Sequence, residues 1–110
     1  MFQEVKDTLP ISGDDYDAQI IREIKACALD LTTSAEITLP GTITISLKDG
    51  RVTDTSDLQD ELIITAISIW CNMRIGNPPN YENLRKAYES IKGQLRLSKS
   101  YTTYGEATAE

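Results

Sequence analysis

The sequence predicts a mainly α protein, a small helical bundle of three to four helices with a β-hairpin or extended flap between the second and third helices. Three observations carry that prediction. Apolar residues recur at alternating steps of three and four through the second, third and fourth segments. Between the second and third segments the period drops to two, and Pro10, Gly50 and the pair Pro78-Pro79 punctuate the chain at the expected joints.

Residues 2–9 carry Phe2, Val5 and Leu9 on one side of a short helix that Pro10 ends. Ser12, Asp14 and Asp15 are good N-cap types, and the carboxylates of Asp14, Asp15 and Asp17 suit the positive end of a helix dipole. A calcium loop would need a D-x-D-x-D-G series and a closing Glu, which this acidic cluster lacks, so a solvated helix start is expected. From residue 15 to about 33, Ile20, Ile24, Cys27 and Leu31 form a buried stripe that Ile21 and Ala28 widen.

Residues 38–53 change character. Thr42, Ile43, Thr44 and Ile45 alternate, Ser46 and Leu47 continue the pattern, Lys48-Asp49-Gly50 turns, and Arg51-Val52-Thr53 starts back. A lone hairpin is marginal, so this one must lean on helices or on a partner. Gly41 and Gly50 are structural punctuation, and the chain contains no phosphate-loop pattern.

Thr55-Ser56-Asp57 is expected to cap the third helix, with Ser56 and Gln59 as a capping box. Leu58, Leu62, Ala66, Ile69 and Met73 form one stripe and Ile63, Ile67 and Trp70 a second beside it, with Ile64 and Cys71 partly outside both. A helix apolar over most of its circumference is the central one. Gly76-Asn77 is a natural C-cap, and the two prolines prevent continuation. The fourth helix starts near Asn80 with Leu84, Tyr88, Ile91 and Leu95 on its stripe, Tyr81 and Ala87 alongside, and charged residues elsewhere. The expected division is a helical body over residues 1–97, with its flap at about 36–54, and a flexible C-terminal tail over 98–110.

Composition narrows function. One ordinary domain fits in 110 residues, and 40% hydrophobic with 25% charged residues is a globular composition. A net charge of −6 argues against wrapping DNA phosphates and leaves open a protein that lets DNA slide past without sticking. The opening residues lack the basic start and apolar run of a signal peptide. The apolar run from Leu62 is broken by Thr65, Ser68, Asn72 and Arg74, short of the about 20 residues of a membrane span, so no membrane partner is expected.

No reacting constellation is visible. The chain has no histidine, the commonest general base and metal ligand, and its serines lack a nucleophile elbow. Cys27 and Cys71 have neither zinc-site nor redox spacing, and each sits in an apolar helical pattern as a small hydrophobe. A disulfide would require two helices to bring them together. No catalytic residue, cofactor or metal site is expected. Arg85, Lys86, Lys92, Arg96 and Lys99 give the last helix a basic bias, read as a solvated helix with cations toward its negative end rather than as a DNA-reading element.

The order of parts carries a resemblance. A short lead helix, a helix opened by Asp14-Asp15 and a Thr/Ile-rich flap come first. An apolar helix follows, running from Asp60-Glu61-Leu62-Ile63 through Ala66, Ile67, Ile69 and Trp70, and the last helix holds Tyr88-Glu89. Over residues 2–97 this resembles the phage head–tail connector proteins, also called adaptor or head-completion proteins. The resemblance implies a non-enzymatic structural protein of a tailed phage or prophage, made in the bacterial host cytoplasm and placed in the virion at the head–tail interface. It implies a homo-oligomeric ring of about twelve copies with head-to-tail contacts. Its partners would be the portal protein and a head-closure or stopper protein, and packaged DNA would pass through its channel without being read.

On that footing two interfaces are expected. The flap around Ile43, Ile45 and Leu47 contacts a neighbouring subunit or projects toward the lumen, in which case Ile45→Asp would stop ring formation. Leu97, Tyr101 and Tyr104 order when the tail docks on the portal, since Tyr buries area at little entropic cost. The alternative is a small helical regulator that binds protein or DNA as a dimer through surplus apolar surface on the third helix.

Overall fold

The computed structural model describes residues 1–75 and 78–98. It contains, in order, α1 (Phe2–Asp7), α2 (Asp17–Thr33), strands β1 (Ile45–Lys48) and β2 (Arg51–Asp54), α3 (Glu61–Arg74) and α4 (Tyr81–Leu97). The expected mainly helical bundle, with a two-stranded antiparallel hairpin between the second and third helices, is the fold observed. α3 packs against α1, α2 and α4, which makes it the central helix, and α2 supports β1.

α1 buries Phe2 and Val5, and Leu9 just beyond it is buried too. α2 begins at Asp17 rather than at residue 15, and no side chain caps it. The reason lies in the acidic cluster. Lys6 Nζ sits 2.9 Å from Asp14 Oδ1 and 2.8 Å from Asp17 Oδ1, so these carboxylates hold α1 against the start of α2. Asp17 is buried, and a buried carboxylate needs such a counter-charge. The solvated start expected there holds for Asp15, which is exposed, and not for Asp17.

The hairpin pairs Ile45 with Asp54, Ser46 with Thr53, Leu47 with Val52 and Lys48 with Arg51. Its two-residue turn, Asp49-Gly50, has φ of 52° and 76°. Positive φ at both positions is the turn whose twist matches a hairpin, and Asp-Gly is a favoured pair for it. Ile45 is buried against the helices and anchors the base.

The Thr55-Ser56-Asp57 segment does not cap α3. Asp60 does, accepting from the Ile63 amide at 3.0 Å. Ser56 and Asp57 instead bind the strand-like segment before the hairpin. The Thr44 amide donates to Ser56 Oγ at 2.8 Å, and both the amide and hydroxyl of Thr42 donate to Asp57 Oδ1. These contacts draw Asp57 below the usual carboxylate range. Gly41 makes the close crossing sterically feasible, because a Cβ there would lie 2.7 Å from Leu58 Cα.

α3 ends at Arg74 with Ile75 as its C-cap, and the Gly76-Asn77 cap expected from the sequence lies outside the described residues. Ile63, Ile64, Ala66, Ile67 and Cys71 are its buried apolar residues, whereas Leu62, Ile69, Trp70 and Met73 are half-covered. Cys71 and Ile64, which the sequence pattern set partly aside, therefore lie in the core. α4 begins where expected, yet Tyr88 and Leu95 are its buried residues.

Candidate interaction surfaces

Three arrangements are candidates, and two of them face outward. The inward one joins α2 to α3 and α4 through polar side chains. On α2, Glu23 and Asp30 stand one heptad apart and so share a face. The Trp70 indole N–H donates to Glu23 Oε1 at 3.0 Å, and Arg74 Nε lies 3.4 Å from the same oxygen while its guanidinium stacks 5.3 Å from the Trp70 ring centre. The Tyr88 hydroxyl donates to Asp30 Oδ2 and accepts from the Cys27 thiol at 3.7 Å. Lys92 Nζ reaches Asp30 Oδ2 and Ser34 Oγ, both at 3.3 Å. Trp70 and Tyr88 touch with ring centres 5.4 Å apart, tilted by 59°.

Burial raises the Tyr88 hydroxyl far above its ordinary value, with Cys27 and Asp30 adding to the effect, so it stays a neutral donor. Burial also raises the Cys27 thiol far above its usual range and pushes Cys71 up to about 12. A thiol held protonated in this way is a poor nucleophile. Both cysteines are free and buried, as the hydrophobic reading of them expects. The arrangement is a packing device: it gives buried polar groups their partners and pins α4 to α2. Among the described residues no group of three or more Cys, Asp or Glu side chains is placed to hold a metal ion, and no helix is long and apolar enough to cross a membrane.

The first outward surface is the hairpin. Ile43 is half-buried against the core, Ile45 is 3% exposed within it, and Leu47 is 40% exposed. Ile45 is thus committed to the chain's own core, so Ile45→Asp would unfold the hairpin base and could not report on a subunit contact. Asp54, at the end of β2, accepts from the Phe2 amide at 2.7 Å and lies 3.1 Å from the Met1 amine. Burial opposes its charge, but the Phe2 and Ser56 donors and the amine outweigh that and hold Asp54 at about 2. Beyond this anchor, Lys48, Asp49, Gly50 and Arg51 are exposed.

The second is a groove of about 370 Å³ between α1, α3 and the start of α4. Ile64, Ile69 and Leu84 supply its apolar surface, with Glu4 and Glu61 beside them. No local sequence signal marks it. The sequence pattern places Ile69 on a core stripe, Ile64 partly outside both stripes and Glu61 at a helix start, and the groove exists because α1 is too short to cover all of α3. Leu97, at the end of α4, is 87% exposed. Tyr101 and Tyr104 lie outside the described residues.

The described residues thus form a mainly helical bundle with a hairpin insertion and two outward surfaces, the hairpin and the groove. The family model for phage connector proteins matches residues 1–102, and the chain belongs to that family. It is accordingly a structural component of a phage particle, a member of a non-catalytic family, and its partners are head or tail components. No curated protein and no solved structure matches the chain at a significant level.

Proposed function

We propose that the chain forms a closed ring of about twelve copies, joined head to tail, that sits beneath the portal of the DNA-filled head. The ring extends the DNA channel toward the stopper and the tail of a tailed phage or prophage. The observation that carries this reading is the family match over residues 1–102. Two further features support it. A net charge of −6 suits a lumen through which DNA passes without adhering. The body also offers two unlike outward surfaces, the hairpin and the α1/α3/α4 groove, and a head-to-tail ring needs two different patches on each copy.

Within this reading the helical body over 1–97 builds the ring and the tail over 98–110 engages the portal, with Leu97, Tyr101 and Tyr104 as its apolar contacts. Ile43 and Leu47 face a neighbouring copy, while Ile45 holds their strand in place. Removing residues 98–110 tests the portal half of the reading. The shortened protein is expected to keep its helical circular dichroism and its melting temperature while losing co-sedimentation with portal-bearing heads. Undiminished binding would contradict the assignment.

A further inference from the structure

The hairpin carries a local electrostatic cost that no ion pair among the described residues offsets. Lys48 and Arg51 are direct cross-strand partners next to the turn, and like charges in that position repel. Among the described residues neither side chain has an acidic partner, although acidic residues outnumber basic ones by 17 to 11. Beside them Leu47 is 40% exposed. The tip is therefore an exposed apolar side chain beside two cations that form no ion pair among the described residues, with the Asp49 carboxylate in the turn between them.

The groove has the complementary character. Its apolar side chains are Ile64, Ile69 and Leu84, and Glu4 and Glu61 are exposed on its α1 and α3 edges. α1 also separates the two surfaces. Gln3 and Lys6 line the cleft under the hairpin, whereas Glu4 and Thr8, on the other flank of the same helix, line the groove. A hairpin on one flank and its complement on the other is the layout of a heterologous contact, in which each copy gives one surface and receives the other.

We propose that the hairpin tip of one copy docks in the α1/α3/α4 groove of the next, with Leu47 against Ile64, Ile69 and Leu84, and Lys48 and Arg51 opposite Glu4 and Glu61. This rests on the ring reading above and names the contact that would close the ring. The occupant is a second copy rather than DNA because a phosphate backbone would use the two cations and leave Leu47 unmatched.

Charge exchange tests it. Lys48→Glu with Arg51→Glu makes the hairpin acidic, and Glu4→Lys with Glu61→Lys makes the groove basic. All four positions are exposed, so folding, followed by circular dichroism, is expected to persist. Assembly is read by sedimentation velocity and negative-stain images. Each pair alone is expected to lower assembly at least tenfold in the concentration required. The four changes in one chain are expected to restore it, as is mixing the two paired variants. Wild-type assembly by both paired variants would overturn the proposal, and so would loss by both without restoration in the fourfold variant. If the hairpin variant assembles normally but loses affinity for a short DNA duplex, the cations serve DNA and the proposal fails. A wild-type chain that forms no ring, alone or on portal-bearing heads, removes the ring reading itself, an outcome separable from a ring closed through other surfaces.

Discussion

α3 and α4 are neighbours of similar length that the chain uses in opposite ways. α3 is apolar on most sides and is covered by α1, α2 and α4. α4 has the cleaner amphipathic pattern, yet it buries Tyr88 and Leu95 and leaves Leu84, Ala87 and Ile91 half-covered. The difference teaches that a regular stripe identifies a helix without saying how much of the stripe its own chain covers. Most of the apolar surface of α3 is spent on the fold, with one edge left to line the groove, whereas α4 keeps much of its stripe half-covered.

The sharpest way to break this contrast is a pair of truncations. Ile67 is wholly buried on α3 and Ile91 half-buried on α4. Ile67→Ala is expected to cost about 3–4 kcal/mol, against about 1 kcal/mol for Ile91→Ala, in urea unfolding. Equal costs would show that α4 is as fully docked as α3. Next in size is Gly41→Ala. Its Cβ would meet the Leu58 backbone, and a loss of about 2–3 kcal/mol is expected from the displaced crossing.

Tyr88→Phe probes how α4 is attached. It removes the donor to Asp30 and the acceptor for Cys27, leaving Lys92 as the remaining α4 partner of Asp30. A loss of about 1–2 kcal/mol is expected. No loss would mean that apolar packing alone holds the helix.

Asp54 gives a pH signature to the hairpin anchor. Its folded value, about 2, lies below its ordinary 3.8, so its contribution is fully present above about pH 4 and is lost as pH falls toward 2. Allowing for solvent screening, that contribution is about 1 kcal/mol. The wild type is expected to lose this increment between pH 4 and 2, and Asp54→Asn to lack it at neutral pH and show a flatter acid limb. The smallest effect on stability is expected from Leu97→Ser, within about 0.5 kcal/mol, because the side chain is 87% exposed. The same change is expected to weaken portal binding.

Much of the fold was legible in the sequence because the apolar steps through Ile20, Ile24, Cys27 and Leu31, and the Asp49-Gly50 turn, are local signals. The caps were less so. Ser56 and Asp57 are chemically good caps for α3, but Asp60 caps it and they tie down Thr42 and Thr44 instead, a choice made by long-range packing. Asp17 looked like a solvated helix start and is buried beside Lys6 for the same kind of reason. Of the expected contact residues, Leu47 and Leu97 are exposed, Ile43 is half-buried and Ile45 is in the core. Alternation places Ile43, Ile45 and Leu47 on one side of the strand but does not say where the helices stop covering that side. The groove could not be read at all, since it is formed by three separated segments.

The proposed ring makes this chain a repeating unit that acts through its outer surfaces. Sedimentation velocity over a wide concentration range, with negative-stain images of any large species and a parallel run on portal-bearing heads, tests it most directly. Closed rings of about a dozen copies, free or templated on the portal, are the expected result. A compact dimer at every concentration, with no ring on the heads, would contradict it.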